Sequence, residues 1–136
     1  VLSTKINDSK SPAEVKLLIA EHEGKPLAAM FLIITGNRGT YLYGASSTEQ
    51  RNLMATYFLQ WEAIKISKMK GCTEYDMFGV SPGPDKNHPL YGLYRFKTGF
   101  GGDIFHSLGS WDYPLNMEKY NIFIATELQS QGYHNH

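Results

Sequence analysis

The chain contains one cysteine, Cys72, so no disulfide can close within it, and a reducing compartment is the natural reading. It has no net charge: 13 Lys and Arg balance 13 Asp and Glu, which argues against a strongly basic grip on nucleic acid by this chain alone. Long apolar runs are missing too. The longest, Leu27 to Ile34, is far shorter than the ~20 residues of a membrane-spanning helix. No signal-peptide pattern opens the chain, and it starts at Val1 rather than Met, which suggests a domain excised from a longer protein.

Most catalytic templates are also missing. There is no Gly-x-x-x-x-Gly-Lys-Ser/Thr loop, no Gly-x-Gly-x-x-Gly after a strand and no Cys-x-x-Cys. His22, His88 and His106 lack metal-ligand spacing and read as structural or exposed side chains, so no metal is expected. His134-Asn135-His136 reads as a frayed terminus, and Cys72 as a small packed residue rather than a nucleophile.

What is present suits one domain: 136 residues can bury a core without a disulfide or metal. Residues 1–13 are polar and read as a lead-in or linker, 14–130 as a single domain, and 131–136 as a disordered tail. Gly-containing turns separate strands expected at Val15–His22, Pro26–Thr35 and Thr40–Gly44, an antiparallel meander. A helix is expected to start at Ser46-Ser47 through a capping box with Glu49 or Gln50. Its apolar stripe would be Leu53, Tyr57, Trp61 and Ile64, widened by Met54 and Phe58, and Gly71 would end it. A strand at Thr73–Phe78 in the sheet centre follows, then a loop, a helix at Leu90–Thr98, a strand at Asp103–Leu108 and a helix at Met117–Leu128. The class is α/β (α+β), a mixed sheet flanked by helices.

Two segments have chemical potential. The junction Gly44-Ala45-Ser46-Ser47 can present a helix N-terminus to an anion, with Arg51 one turn in, or it can be serine capping alone. In Tyr94-Arg95-Phe96-Lys97-Thr98-Gly99-Phe100-Gly101-Gly102, Lys97 is expected to project while its neighbours pack. A lysine partly desolvated between Phe96 and Phe100 can bind a carboxylate or phosphate, or stabilise an oxyanion. The same segment also fits a helix stop and a tight turn.

Tyr41-Leu42-Tyr43-Gly44-Ala45-Ser46-Ser47, Gln60-Trp61-Glu62-Ala63-Ile64, Tyr75-Asp76-Met77-Phe78-Gly79 and Leu93 through Gly102 occur in one order. Together they resemble the Fem family (FemA, FemB and FemX type) of peptidoglycan bridge-forming aminoacyltransferases. The resemblance implies a GNAT-like (acyl-CoA N-acyltransferase) fold with a mostly antiparallel sheet, and a position as the second of two such domains. It implies transfer of an amino acid from aminoacyl-tRNA to the stem-peptide amine of a peptidoglycan precursor, either UDP-MurNAc-peptide or lipid II. It further implies a cytoplasmic chain, at most peripheral at the inner membrane face, that uses no cofactor. The acetyl-CoA pyrophosphate loop, Arg/Gln-x-x-Gly-x-Gly/Ala, is replaced by Ser46-Ser47-Thr48-Glu49-Gln50-Arg51. By resemblance Phe96 and Lys97 are the catalytic pair, Tyr43, Tyr41 and Arg51 bind substrate, and Asp76 is an orienting carboxylate rather than the general base. Two other readings are an acyl-CoA-dependent N-acyltransferase and a non-catalytic precursor-binding domain.

Overall fold

The computed structural model describes residues 2–5, 12–109 and 111–130. The chain divides into two compact units, Val1–Gly102 and Asp103–His136, and each is described by itself.

The first unit is built on a five-stranded sheet in chain order: β1 (Leu2–Lys5), β2 (Ala13–His22), β3 (Lys25–Thr35), β4 (Arg38–Ser46) and β5 (Glu74–Asp76). The first four strands are antiparallel and β5 pairs with β4 in parallel. The antiparallel meander expected from the turns is therefore present. The lead-in expected over 1–13 instead contains β1, whose four residues pair with Lys16 to Ile19. The strand after the first helix lies at the sheet edge, not its centre, and only three of its residues pair.

Alternation explains the sheet's inner face. On β3, Ala28, Met30, Leu32 and Ile34 are buried, and Leu18 and Ala20 of β2 stand opposite Met30 and Ala28. A 3-10 turn (Arg51–Leu53) leads into α1 (Ala55–Met69), which packs Leu59 and Ala63 onto this face. The helix thus starts later than the serines suggest. Ser47 instead stays tied to the sheet by donating its N–H to the Leu27 carbonyl at 2.8 Å, and its Oγ accepts the Glu49 N–H at 3.0 Å. No side chain caps α1. Gly71 ends it as expected, in a Schellman motif: Cys72 N–H donates to Ser67 O at 3.0 Å and Gly71 N–H to Lys68 O at 3.0 Å.

The buried stripe of α1 differs from the one expected. It runs through Leu59, Gln60, Ala63 and Ser67, while Trp61 is 56% and Phe58 48% exposed. Towards the C-terminal end of α1 small residues, Ala63 and Ser67, take the inner face because the helix lies very close to the sheet there. At Gly39 of β4, an added Cβ would overlap Ser67 Oγ and lie 2.8 Å from Ser67 Cβ.

The helix α2 (Tyr91–Thr98) completes the first unit. In the second unit, residues 103–109 form no strand, so the strand expected at Asp103–Leu108 is absent. The expected last helix is present as α3 (Met117–Ser130), capped by Asn116 Oδ1, which accepts the Lys119 N–H at 3.0 Å. The tail at 131–136, with His134 and His136, lies outside the described residues.

Gly39→Ala is expected to cost about 1–3 kcal/mol by forcing α1 off β4. Urea unfolding of the two proteins measures it, and equal midpoints would refute the close contact.

Candidate functional site

The two parallel strands are pinned at one end only. Arg38 donates from Nε and Nη2 to Glu74 Oε2, both at 2.9 Å, and Asn37 Nδ2 donates to Thr73 Oγ1 at 3.1 Å. Pairing stops at Thr40 and Asp76, yet β4 continues to Ser46. Beyond Asp76 the chain turns away: Asp76 Oδ1 accepts the Phe78 N–H at 2.8 Å, and Phe78 sits in the left-handed region at φ 64. A non-glycine residue rarely adopts that conformation unless its surroundings impose it.

Lys97 spans the mouth between these diverging chains. Its Nζ donates to the Gly79 carbonyl at 2.7 Å on the β5 side, and on the β4 side it lies 5.3 Å from the centroid of the Tyr41 ring. Both contacts favour the charged form, the ring through its negative face. Lys97 is the buried residue of α2, only 6% exposed, so the projecting lysine expected from the sequence is corrected. Burial holds its ammonium below the ordinary lysine range, and the Asp76 carboxylate opposes that shift.

Phe96 and Phe100 do not flank the ammonium. They form an aromatic trio with Tyr57 of α1: Phe96 meets Tyr57 edge-on at 4.8 Å and Phe100 at 5.5 Å, and Tyr57 stacks on Phe100 at 5.6 Å. Such pairs contribute about 0.5–1.5 kcal/mol each beyond area burial. The trio fixes α2 against α1 and so fixes the height of Lys97 in the mouth.

A bulge in β4 sorts the two tyrosines. Leu32 pairs with Tyr41 and Phe31 with Tyr43, leaving Leu42 as an extra residue. Without it Tyr41 and Tyr43 would share a face. With it, Tyr41 stands opposite fully buried Leu32, and Tyr43 opposite exposed Phe31. Tyr41 curls over Gly44, where an added Cβ would overlap its hydroxyl. A cavity of about 190 Å³ opens beside it, lined among others by Tyr41, Gly44, Leu59, Gln60, Leu93 and Phe96.

The structure therefore brings Lys97, Phe96 and Tyr41 together and leaves out two predicted residues. Tyr43 is 67% exposed and does not line the cavity. Arg51 lies exposed in the 3-10 turn, and the helix N-terminus it was to accompany starts at Ala55. Sequence reasoning missed Gly79, Gln60 and Tyr57. Gln60 carries a signal in retrospect, a polar residue at the spacing of the small inward positions Ala63 and Ser67. Among the described residues, no group of three or more His, Cys, Asp and Glu converges as a metal site would, and no helix is long and apolar enough to cross a membrane.

Residues 3–127 match the FemAB family. The chain belongs to the FemAB family. It is 36% identical over 118 residues to a protein of Staphylococcus epidermidis named lipid II:glycine glycyltransferase, covering 87% of this chain and 28% of that one. A Staphylococcus aureus protein of the same name is 36% identical over 110 residues, covering 80% and 26%. The chain thus spans less than a third of the length of these relatives. The crystal structure of FemX superposes with a TM-score of 0.62 at 35% identity, over 71% of this chain and 24% of that one. An acetyltransferase of Trypanosoma brucei superposes with a TM-score of 0.53 at 14% identity, over 75% and 70%. That likeness establishes the acetyltransferase (GNAT-like) fold inferred from the FemAB resemblance.

Asp76 both shapes the Gly79 turn and supports the Lys97 charge. Asp76→Asn keeps a turn acceptor and loses the charge, so the Lys97 pKa is expected to fall further, read from its 13Cε shift. Because the folded pKa lies below the unfolded value of about 10.4, the unfolded state binds more protons between the two. Stability relative to Lys97→Met is expected to rise with pH across that window. A flat difference, or a Lys97 titration unchanged by Asp76→Asn, would contradict the assignment.

Proposed function

We propose that this chain is part of an aminoacyltransferase that moves an amino acid from aminoacyl-tRNA to the stem-peptide amine of a peptidoglycan precursor. The observation that carries the reading is the buried Lys97 ammonium, held at the mouth of β4 and β5 beside a cavity. Membership of the FemAB family and similarity to proteins named lipid II:glycine glycyltransferase support it.

The amine nitrogen attacks the ester carbonyl carbon, and the carbonyl oxygen gains charge as the C–N bond forms. The C–O bond to the tRNA ribose then breaks, the amine loses a proton and the ribose oxygen gains one. The ester is already activated, so positioning and electrostatics supply most of the acceleration. Lys97 has three N–H donors, and Gly79 takes one. The others stabilise the oxyanion, in a site where low water content strengthens the attraction. Phe96 shapes the wall beside it. Tyr41 holds the ammonium from the β4 side, while Tyr43 and Arg51 meet substrate from outside this mouth.

The precursor is lipid II or its soluble UDP-MurNAc-peptide counterpart. A preceding GNAT-like domain of the parent enzyme completes the cleft and carries most of the tRNA contact, as the neutral charge of this chain suggests. The parent enzyme works in the cytoplasm, at the inner membrane face when its acceptor is lipid-linked.

In the full-length parent enzyme, Lys97→Ala is expected to lower kcat for transfer roughly 10²–10³-fold, the scale of losing one oxyanion donor. Glycyl- or alanyl-tRNA with lipid II provides the assay. Unchanged transfer by a folded variant would refute the role.

A further inference from the structure

The cavity beside Lys97 has a polar feature that charge stabilisation does not use. Gln60 is 2% exposed and lines its floor with Met30 and Leu59, both also 2% exposed. The Gln60 carboxamide oxygen is taken: it accepts the Tyr75 hydroxyl at 2.7 Å. Burial, with the nearby Tyr41 phenol adding to it, pushes the Tyr75 phenol far above its ordinary range. Tyr75 therefore keeps the proton that it donates to Gln60. Among the described residues, the Gln60 carboxamide nitrogen has no acceptor.

A buried N–H donor without a partner is unusual, because almost all such groups are satisfied. Here Gln60, held through its oxygen by Tyr75, lines a largely apolar, partly open cavity together with Leu93 and Phe96. No charged side chain lines it. The volume, about 190 Å³, exceeds the roughly 150 Å³ that accommodates benzene in an engineered protein cavity.

We propose that this cavity is a subsite for a small, neutral, carbonyl-bearing group of the substrate, and that Gln60 is the donor that recognises its oxygen. An ion is excluded by the uncharged lining, and a purely apolar group leaves the Gln60 amide unsatisfied. The rim is open where Gly44, Ala45 and Ser46 are exposed, so the group enters across β4. For the identity of the substrate the inference rests on the function proposed above: the carbonyl is an amide of the stem peptide or the ester of the aminoacyl end.

The test is a titration of this chain with N-methylacetamide and, separately, with methyl propionate, followed by NMR. Saturable shifts of the Gln60 side-chain amide and of the Met30 and Leu59 methyls are expected. The tighter probe identifies the source, N-methylacetamide for a peptide amide and methyl propionate for an aminoacyl ester. The double variant Gln60→Leu, Tyr75→Phe removes donor and lock together, which leaves no orphaned hydroxyl, and is expected to weaken binding at least fivefold. Ser46→Leu fills the cavity from β4, where Ser46 stands opposite inward-facing Ala28, and is expected to abolish it. No saturable shift with either probe, or equal binding by the double variant, would overturn the proposal. The readout needs no transfer, so its failure leaves the aminoacyltransferase reading standing, and lost transfer with intact probe binding leaves the subsite standing.

Discussion

The Lys97 side chain bridges the end of the sheet where β4 and β5 part. β4 and β5 share only three paired residues, pinned at the Arg38–Glu74 end, and then separate. Across the separation the Lys97 side chain is the connection, with the Gly79 carbonyl on one side and the Tyr41 ring on the other. A charge buried to this extent is stable only with close partners. Asp76, Gly79 and Tyr41 provide them, and each is set by a local feature of its own strand or turn.

Those features have little value apart from the lysine. The left-handed Phe78 costs on the order of 1 kcal/mol or more, yet it aims the Gly79 carbonyl at the mouth. The Leu42 bulge interrupts the β4 ladder, yet it places Tyr41 rather than Tyr43 on the inner face. Gly44 weakens a strand, yet only a residue without a Cβ leaves room for the Tyr41 hydroxyl. Three local irregularities converge on one side chain, the pattern expected where a fold accepts strain for function.

Much of this was legible in the sequence. Gly-containing turns between short apolar runs located β2, β3 and β4, and the block around Phe96-Lys97 lies on the helix expected at Leu90–Thr98. The Lys97 orientation was not legible, because helical spacing alone cannot tell which side of α2 faces the mouth. The α1 stripe failed for a related reason. Trp61 and Phe58 are the more hydrophobic set, but where the helix lies this close to β4 at Gly39 only a small inward residue, Ser67, fits. The separation of Tyr41 from Tyr43 depends on a single-residue bulge, which leaves no mark in an alternation pattern. Gln60 was hidden because its importance lies in what its oxygen is bonded to.

The proposed site depends on the Lys97 ammonium being held between Gly79 and Tyr41. A 1H–15N spectrum of the lysine side-chain ammonium groups tests this directly. The predicted result is one slowly exchanging Lys97 signal, shifted by the Tyr41 ring, with a cross-relaxation contact to that ring and loss of the shift in Tyr41→Leu. A Lys97 ammonium that exchanges as fast as the surface lysines and has no contact with Tyr41 would contradict it.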